Sequence, residues 1–354
     1  MIRVKEKRKS SGAPHEIAVI GAGGWGTALS RLLSRKGYKV SLWEKFPDYA
    51  KELSEKRENT KFLPGVRIPE EISITSDLEF AVDDSKIIVL AVPSQYLRET
   101  VGKFAKMKLS NVVLVNAAKG IETETLRRLS EVISAEMSGC SGISIGVISG
   151  PSHAEEVGRD VPTTVVTASK NTDTAALVQS VFFGPRFRVY TSQDIIGVEL
   201  GGALKNIIAI AAGIIDGLKL GDNAKAALIT RGLAEITRLG VRMGADRFTF
   251  SGLAGLGDLA VTCMSKYSRN RRVGERIGQG EKLGEILPGM EMVAEGIRTT
   301  EAACRLSRNY SVEMPITEEI YKVLFENKKP TKALEDLLMR EAKPEMQFET
   351  EVGK

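Results

Sequence analysis

The sequence predicts an α/β fold with an open-sheet N-terminal domain and a mainly α-helical C-terminal domain. Three observations carry this prediction. A strand, glycine turn, helix and second strand follow one another between Glu16 and Glu44. Short apolar runs then alternate with helix-periodic segments as far as Ser192, the pattern of an α/β sheet. Near Asp194 the character changes to long runs rich in Ala, Gly, Ile and Leu, without β alternation. The 354 residues, 42% of them hydrophobic, are enough for a sizeable core and about two domains.

EIAVI reads as the first strand and GAGGWG follows it directly. TALSRLLSRKG then places Leu29, Leu32 and Leu33 on one helical face, Gly37 ends the helix, and YKVSLWE is the next strand. Gly21, Gly23 and Gly26 form GxGxxG in this setting. The first glycine permits a tight turn, the second lets a pyrophosphate approach the backbone, and the third lets helix and strand pack closely. The helix N-terminus offers N–H groups to phosphates. A purely structural glycine turn is the bland alternative. The context makes this a Rossmann-type dinucleotide-binding unit. At the end of the second strand, Glu44 suits a ribose hydroxyl and so NAD, whereas Lys45 suits the 2'-phosphate of NADP. Both cofactors stay open, with NAD favoured; either residue also reads as ordinary surface charge.

IPEEISITSD supplies a short strand and SKIIVLAVP another, ended by Pro93. SQYLRETVGKFAKM is a helix. NVVLVNAAKG is a strand carrying Lys119 at its C-terminal end, where open sheets bind ligands, although an exposed loop lysine reads the same way. ETLRRLSEVISAEM reads as a helix. ISIGVISGPSHAEEV returns to a strand and a helix start, bringing Gly150, Ser152 and Ala154 to the next strand end. His153 lies among them and is assigned no role. TTVVTAS and RFRVYTS add further strands.

The second domain holds GGALKNIIAIAAGIIDGL, NAKAALITRGLAEITRLGVRM and PITEEIYKVLF as clear helices. Lys205 stands in the first of them, in an apolar small-residue setting where an ammonium needs a partner. Those small residues leave room for helix, cofactor and substrate to approach. Asp258, in GLAGLGDL, either caps a helix or pairs with a cation. SRNRR, residues 268–272, clusters arginines suited to phosphate, or is a solvated basic loop. VAEG carries Val293 and Glu295, the latter readable as a helix-end carboxylate. The expected layout is a basic disordered tail over 1–14, a dinucleotide-binding domain over 15–193, a helical substrate domain over 194–340 and a loose tail over 341–354.

The net charge of +5 comes from interspersed charges, which argues against nucleic acid as a partner. Three widely spaced cysteines form no CxxC pair and suit a reducing cytoplasm. His15 and His153 are the only histidines, and no metal-ligand spacing occurs, so no metal is expected. No uninterrupted apolar run approaches the roughly 20 residues of a membrane span.

GAGGWGTAL, AVPSQ, NAAKG, GPSHAEEV, GVELGGALKNIIAIAAGI, GLAGLGDL, SRNRR and VAEG, in this order from about Glu16 to Phe325, resemble the bacterial type of NAD(P)-dependent glycerol-3-phosphate dehydrogenase. The resemblance implies reversible hydride transfer between NAD(P)H and dihydroxyacetone phosphate, giving sn-glycerol 3-phosphate for phospholipid synthesis. It implies Lys205 as the general acid/base. It implies substrate contacts from Lys119, Gly150, Ser152, Asp258, Ser268, Arg269 and Asn270. It implies cofactor contacts from Gly21, Gly23, Gly24, Trp25, Gly26, Lys45, Lys119, Ala154, Arg269, Val293 and Glu295, beside the Glu44 read above. The family often has Ser where this chain has Gly24, and usually lacks an acidic residue at position 44. A related hydroxy-acid dehydrogenase of the same two-domain type is the alternative. Exposed apolar faces in the helical domain are compatible with a homodimer.

Overall fold

A computed structural model describes residues 16–107, 109–290 and 294–345. The expected basic tail over 1–14, together with His15, Val293 and residues 346–354 of the expected C-terminal tail, lies outside the described residues.

The strands are β1 (Glu16–Ile20), β2 (Lys39–Trp43), β3 (Ser73–Thr75), β4 (Ile87–Leu90), β5 (Val113–Asn116), β6 (Ser144–Ser149), β7 (Thr163–Ala168) and β8 (Phe187–Ser192). They form one eight-stranded sheet in the order β3-β2-β1-β4-β5-β6-β7-β8. Strands β1 to β6 run parallel, β7 pairs antiparallel with β6, and β8 runs parallel to β7. Val19 and Ile20 of β1 and all of Ile87–Leu90 are buried, which explains why these strands read as unbroken apolar runs. The strand order reverses at β1, between β2 and β4, and a crevice opens at the strand C-termini there.

The helix after β1 spans Gly24–Arg35 and starts inside the glycine motif. Three described helices in the sheet domain escape the periodicity reading, one of them the five-residue Leu78–Val82. Pro47–Lys56 buries only Ala50 and Leu53, so its apolar stripe is too thin to register. Thr172–Phe182 is started by Asn171, whose side chain accepts from the Asp173 and Thr174 N–H groups. The helix expected over ETLRRLSEVISAEM is shorter, Leu129–Glu136. Its first part is a turn instead, with Leu126 at φ 60° and Arg128 bridged to Ile121.

After β8 the chain is helical. A core helix, Ile195–Gly217, is buried along nearly all its length and packs against Gly221–Arg242, Asp258–Met264, Arg269–Gly278 and Glu295–Asn309. At 23 residues it is longer than the apolar run expected from the sequence, and by length and composition alone it could cross a membrane. Its apolar window is 94% buried inside the protein. Glycines inside a helix cost about 1 kcal/mol each. Burying Leu204, Ile207, Ile208 and Ile210 contributes about 1.5–3 kcal/mol per side chain, so packing outweighs propensity. The small residues face protein more than an open site. A Cβ on Gly213 would stand 1.9 Å from the Arg271 carbonyl, and one on Gly274 would stand 1.9 Å from the Ile210 carbonyl. These two helices therefore touch backbone to backbone, the close helix approach expected of the small residues.

Candidate active site

A cavity of about 710 Å³ lies along the C-terminal ends of the strands and against the core helix. Gly21, Gly23, Gly24, Trp25, Glu44 and Lys45 contribute to its wall, as do Lys119, Ser152, Ala154, Lys205, Ser268, Arg269, Asn270 and Glu295. Residues far apart in sequence are thus gathered around one space. Gly26, Gly150 and Asp258 stand behind that wall.

The glycine turn is shaped for close approach. Gly21 has φ +110°, a conformation that strains any side chain. A Cβ on Gly23 would meet nothing within 4 Å, so its backbone faces open space, whereas one on Gly26 would stand 1.9 Å from the Gly21 carbonyl. The following helix has no side-chain cap and no acidic residue in its first turn. Its N–H groups are therefore available to an anion, and the residues present fit a dinucleotide pyrophosphate. At Gly24 a Cβ would lie 2.6 Å from the Phe62 carbonyl. The serine often found there in the family would clash in this backbone. Trp25 donates from Nε1 to the Ala117 carbonyl at 3.2 Å, tying the turn to the end of β5.

Glu44 is buried and accepts from the Phe46 N–H at 3.1 Å. Burial pushes its carboxyl above the usual range, against the pull of nearby N–H groups and the Lys61 charge. Lys45 is half-exposed, with Nζ 5.6 Å from the centre of the Tyr96 ring and 3.9 Å from Glu99.

The chemical centre is a carboxylate held between two ammonium groups. Lys205 Nζ donates to Asp258 Oδ1 and, at 2.7 Å, to Thr262 Oγ1. Lys119 Nζ donates to Asp258 Oδ2 at 2.7 Å, to the Gly150 carbonyl at 2.9 Å and to Ser152 Oγ at 3.3 Å. Asp258 is 1% exposed and opens the helix Asp258–Met264, where its side chain pairs with cations and caps nothing. Burial alone would raise the Asp258 carboxyl, but the two ammonium groups outweigh it and hold the group below the usual range. Lys205 is pulled down to about 7, first by burial and then by the Lys119 charge, with Asp258 opposing. An amine so placed changes protonation near neutral pH, as a general acid/base requires.

SRNRR is not a loop. Ser268 Oγ accepts from the Arg271 N–H at 3.2 Å and starts the helix Arg269–Gly278. Helix geometry then separates the arginines: Arg269 faces the cavity, whereas Arg271 Nε donates to Asp216 at 2.6 Å. Asn270 Oδ1 accepts from the Gly296 N–H at 3.0 Å. Glu295 opens the helix Glu295–Asn309 and accepts from Ser94 through its N–H, at 2.9 Å, and its hydroxyl.

Family models for NAD-dependent glycerol-3-phosphate dehydrogenase match residues 16–175 (the N-terminal part) and 194–335 (the C-terminal part). The chain belongs to the NAD-dependent glycerol-3-phosphate dehydrogenase family. It is 54% identical over 330 residues to "Glycerol-3-phosphate dehydrogenase [NAD(P)+]" of Prosthecochloris aestuarii, covering 93% of this chain and 99% of the relative. Against the protein of the same name from Pelotomaculum thermopropionicum it is 55% identical over 333 residues, covering 94% and 95%. The crystal structure of glycerol-3-phosphate dehydrogenase from Coxiella burnetii superposes with a TM-score of 0.88 at 40% identity, covering 92% of this chain and 99% of that one.

Within this family setting the structure adds wall residues that the sequence reading left out, among them Asn206, Thr262 and Tyr267. Thr262 was within reach, because it stands one helical turn after Asp258 and so on the same face. Asn206 and Tyr267 carry no such signal. Among the described residues, no group of three His, Cys, Asp or Glu side chains is placed to hold a metal ion.

Proposed function

We infer that this chain reversibly reduces dihydroxyacetone phosphate to sn-glycerol 3-phosphate with a nicotinamide cofactor. One observation carries the reading: Lys205, nearly neutral-tuned and held by Asp258, opens onto the same cavity as the glycine turn. When bound, the cofactor supplies or takes the hydride. Lys205 Nζ, as ammonium, donates a proton to the substrate C2 oxygen as negative charge develops there; as amine, it takes that proton back in the reverse direction. Lys119 adds a second positive charge beside the developing oxyanion and is held by Gly150 and Ser152. Asp258 acts behind the wall by orienting both lysines. The Arg269 guanidinium and the Ser268–Asn270 helix start hold the phosphate.

For the cofactor, Gly21, Gly23, Gly24 and Gly26 form the pyrophosphate cradle, with Trp25, Ala154 and Glu295 lining the rest. Glu44 favours NAD, because a buried carboxylate at the ribose repels a 2'-phosphate. Lys45 favours NADP less strongly, being already placed between Glu99 and Tyr96. Metal plays no part in this reading. The reading also includes a cytoplasmic location, supply of product to phospholipid synthesis, and a homodimer, for which exposed apolar side chains such as Phe248 and Leu256 offer a surface. Steady-state assays with dihydroxyacetone phosphate, run in parallel with NADH and NADPH, test it. The expected result is turnover with both and higher kcat/KM with NADH. No turnover with either would end the functional reading; a clear NADPH preference would end the Glu44 argument.

A further inference from the structure

His153 lies in the cavity wall between Ser152 and Ala154. Its Nε2 is buried and has no hydrogen-bond partner, and a buried polar atom left over in a site marks where a ligand belongs. The ring sits 6.0 Å from that of Tyr267, the residue before the Ser268–Arg269 anion site. The charges acting on it are those of Lys205 and Lys119, with Asp258 opposing. It therefore stands beside the reacting lysines and next to the segment assigned to the phosphate.

Burial and then the two ammonium groups lower the imidazole to about 4, so near pH 7 it is neutral with a single N–H. The Val261 carbonyl takes a hydrogen bond from the ring. With Nε2 unpartnered, that bond falls to Nδ1–H, and Nε2 keeps its lone pair. The cavity thus presents a buried acceptor that needs a donor. A phosphate dianion has none, and neither has the C2 carbonyl. The C1 hydroxyl of dihydroxyacetone phosphate has one.

Resting on the substrate assigned above, we propose that His153 Nε2 accepts a hydrogen bond from the C1 hydroxyl and so selects a hydroxymethyl ketone over a methyl ketone. The contact positions the C1–C2 bond before reaction and rejects substrates that leave Nε2 unpaired.

The test compares kcat/KM on dihydroxyacetone phosphate and on acetol phosphate, which lacks only the C1 hydroxyl, for the wild-type enzyme and for His153→Phe. Phenylalanine keeps a ring against Tyr267 and removes the acceptor. The wild type should favour dihydroxyacetone phosphate by at least about tenfold, and His153→Phe should lose most of that preference by falling on this substrate alone. His153→Gln, a smaller change that retains an acceptor, should keep part of the preference and provides the same ratio if the phenylalanine variant does not fold. An equal fall on both substrates, or an unchanged ratio, overturns the proposal and leaves the reaction assignment standing. A wild-type enzyme inactive on dihydroxyacetone phosphate overturns the reaction assignment itself.

Discussion

At the scale of single residues, the cluster of Lys205, Asp258 and Lys119 explains how an apolar helix tolerates a buried ammonium. Two cations share one carboxylate, and each carboxylate oxygen serves a different lysine. Replacing Lys205 with Ala removes the proton-transfer group and should lower kcat by about 10²- to 10⁴-fold, with cofactor affinity by fluorescence titration little changed. Wild-type turnover in that variant would refute its role. The pH dependence follows from the amine at about 7. Oxidation of glycerol 3-phosphate needs neutral Lys205, so its rate should rise with pH through this value. Reduction needs the ammonium and should decline over the same range. Asp258 stabilises the ammonium, so Asp258→Asn should move both transitions to lower pH; a move upward would contradict the arrangement. The presence of an awkward lysine was legible in the sequence. Its pairing with Asp258 was offered only through the family resemblance, because 53 residues separate the two and local spacing says nothing of their contact.

At the scale of elements, the site depends on how closely the helix Arg269–Gly278 seats against the core helix. Gly213 and Gly274 permit the contact, each facing the other helix's backbone. Gly213→Ala would drive a methyl group into the Arg271 carbonyl, an overpacking expected to cost about 1–3 kcal/mol. Thermal unfolding should show a lower Tm. Because Arg269 stands at the first turn of the displaced helix, KM for dihydroxyacetone phosphate should rise with less effect on the KM for NADH. An unchanged Tm would show that the helices part without cost. Periodicity located the core helix well, since its apolar residues are continuous. It read SRNRR as an arginine cluster or a basic loop, because five polar residues have no apolar stripe; only the structure shows that they begin a helix anchored by Val273 and Ile277.

At the scale of the whole molecule, two of the polar links that join the sheet part to the helical part lie outside the cluster of Lys119, Asp258 and Lys205. One is Ser94 with Glu295, whose side chain lines the cavity. The other is buried: Glu199 of the core helix accepts from Arg128 Nη1 at 2.6 Å and from the Ser130 N–H at 2.8 Å. Removing Glu199 leaves Arg128 with Glu131 alone and strips the buried Ser130 N–H of its acceptor, so Glu199→Ala should cost about 1–3 kcal/mol. Replacing both, as Arg128→Met with Glu199→Leu, should recover much of that loss, because the double variant buries no charge. Chemical denaturation of the wild type, Arg128→Met, Glu199→Leu and the double variant measures the coupling; additive losses would mean that the pair does not interact. Arg128 also starts the helix Leu129–Glu136, so the same residue ends the preceding turn and ties it to the second part of the chain.

The sequence by itself determined the two-part fold, the glycine turn and the family, because these rest on local spacing and on ordered motifs. Strand and helix periods are properties of neighbouring residues, and so is a turn that only glycine can adopt. The tertiary structure decided the rest: that Asp258 lies behind the lysines, that Arg269 turns inward while Arg271 turns away, that position 24 has no room for a side chain, and that His153 carries an unpaired nitrogen. Each of these depends on atoms brought together across tens or hundreds of residues, and in each the deciding quantity is a distance or a burial set by packing.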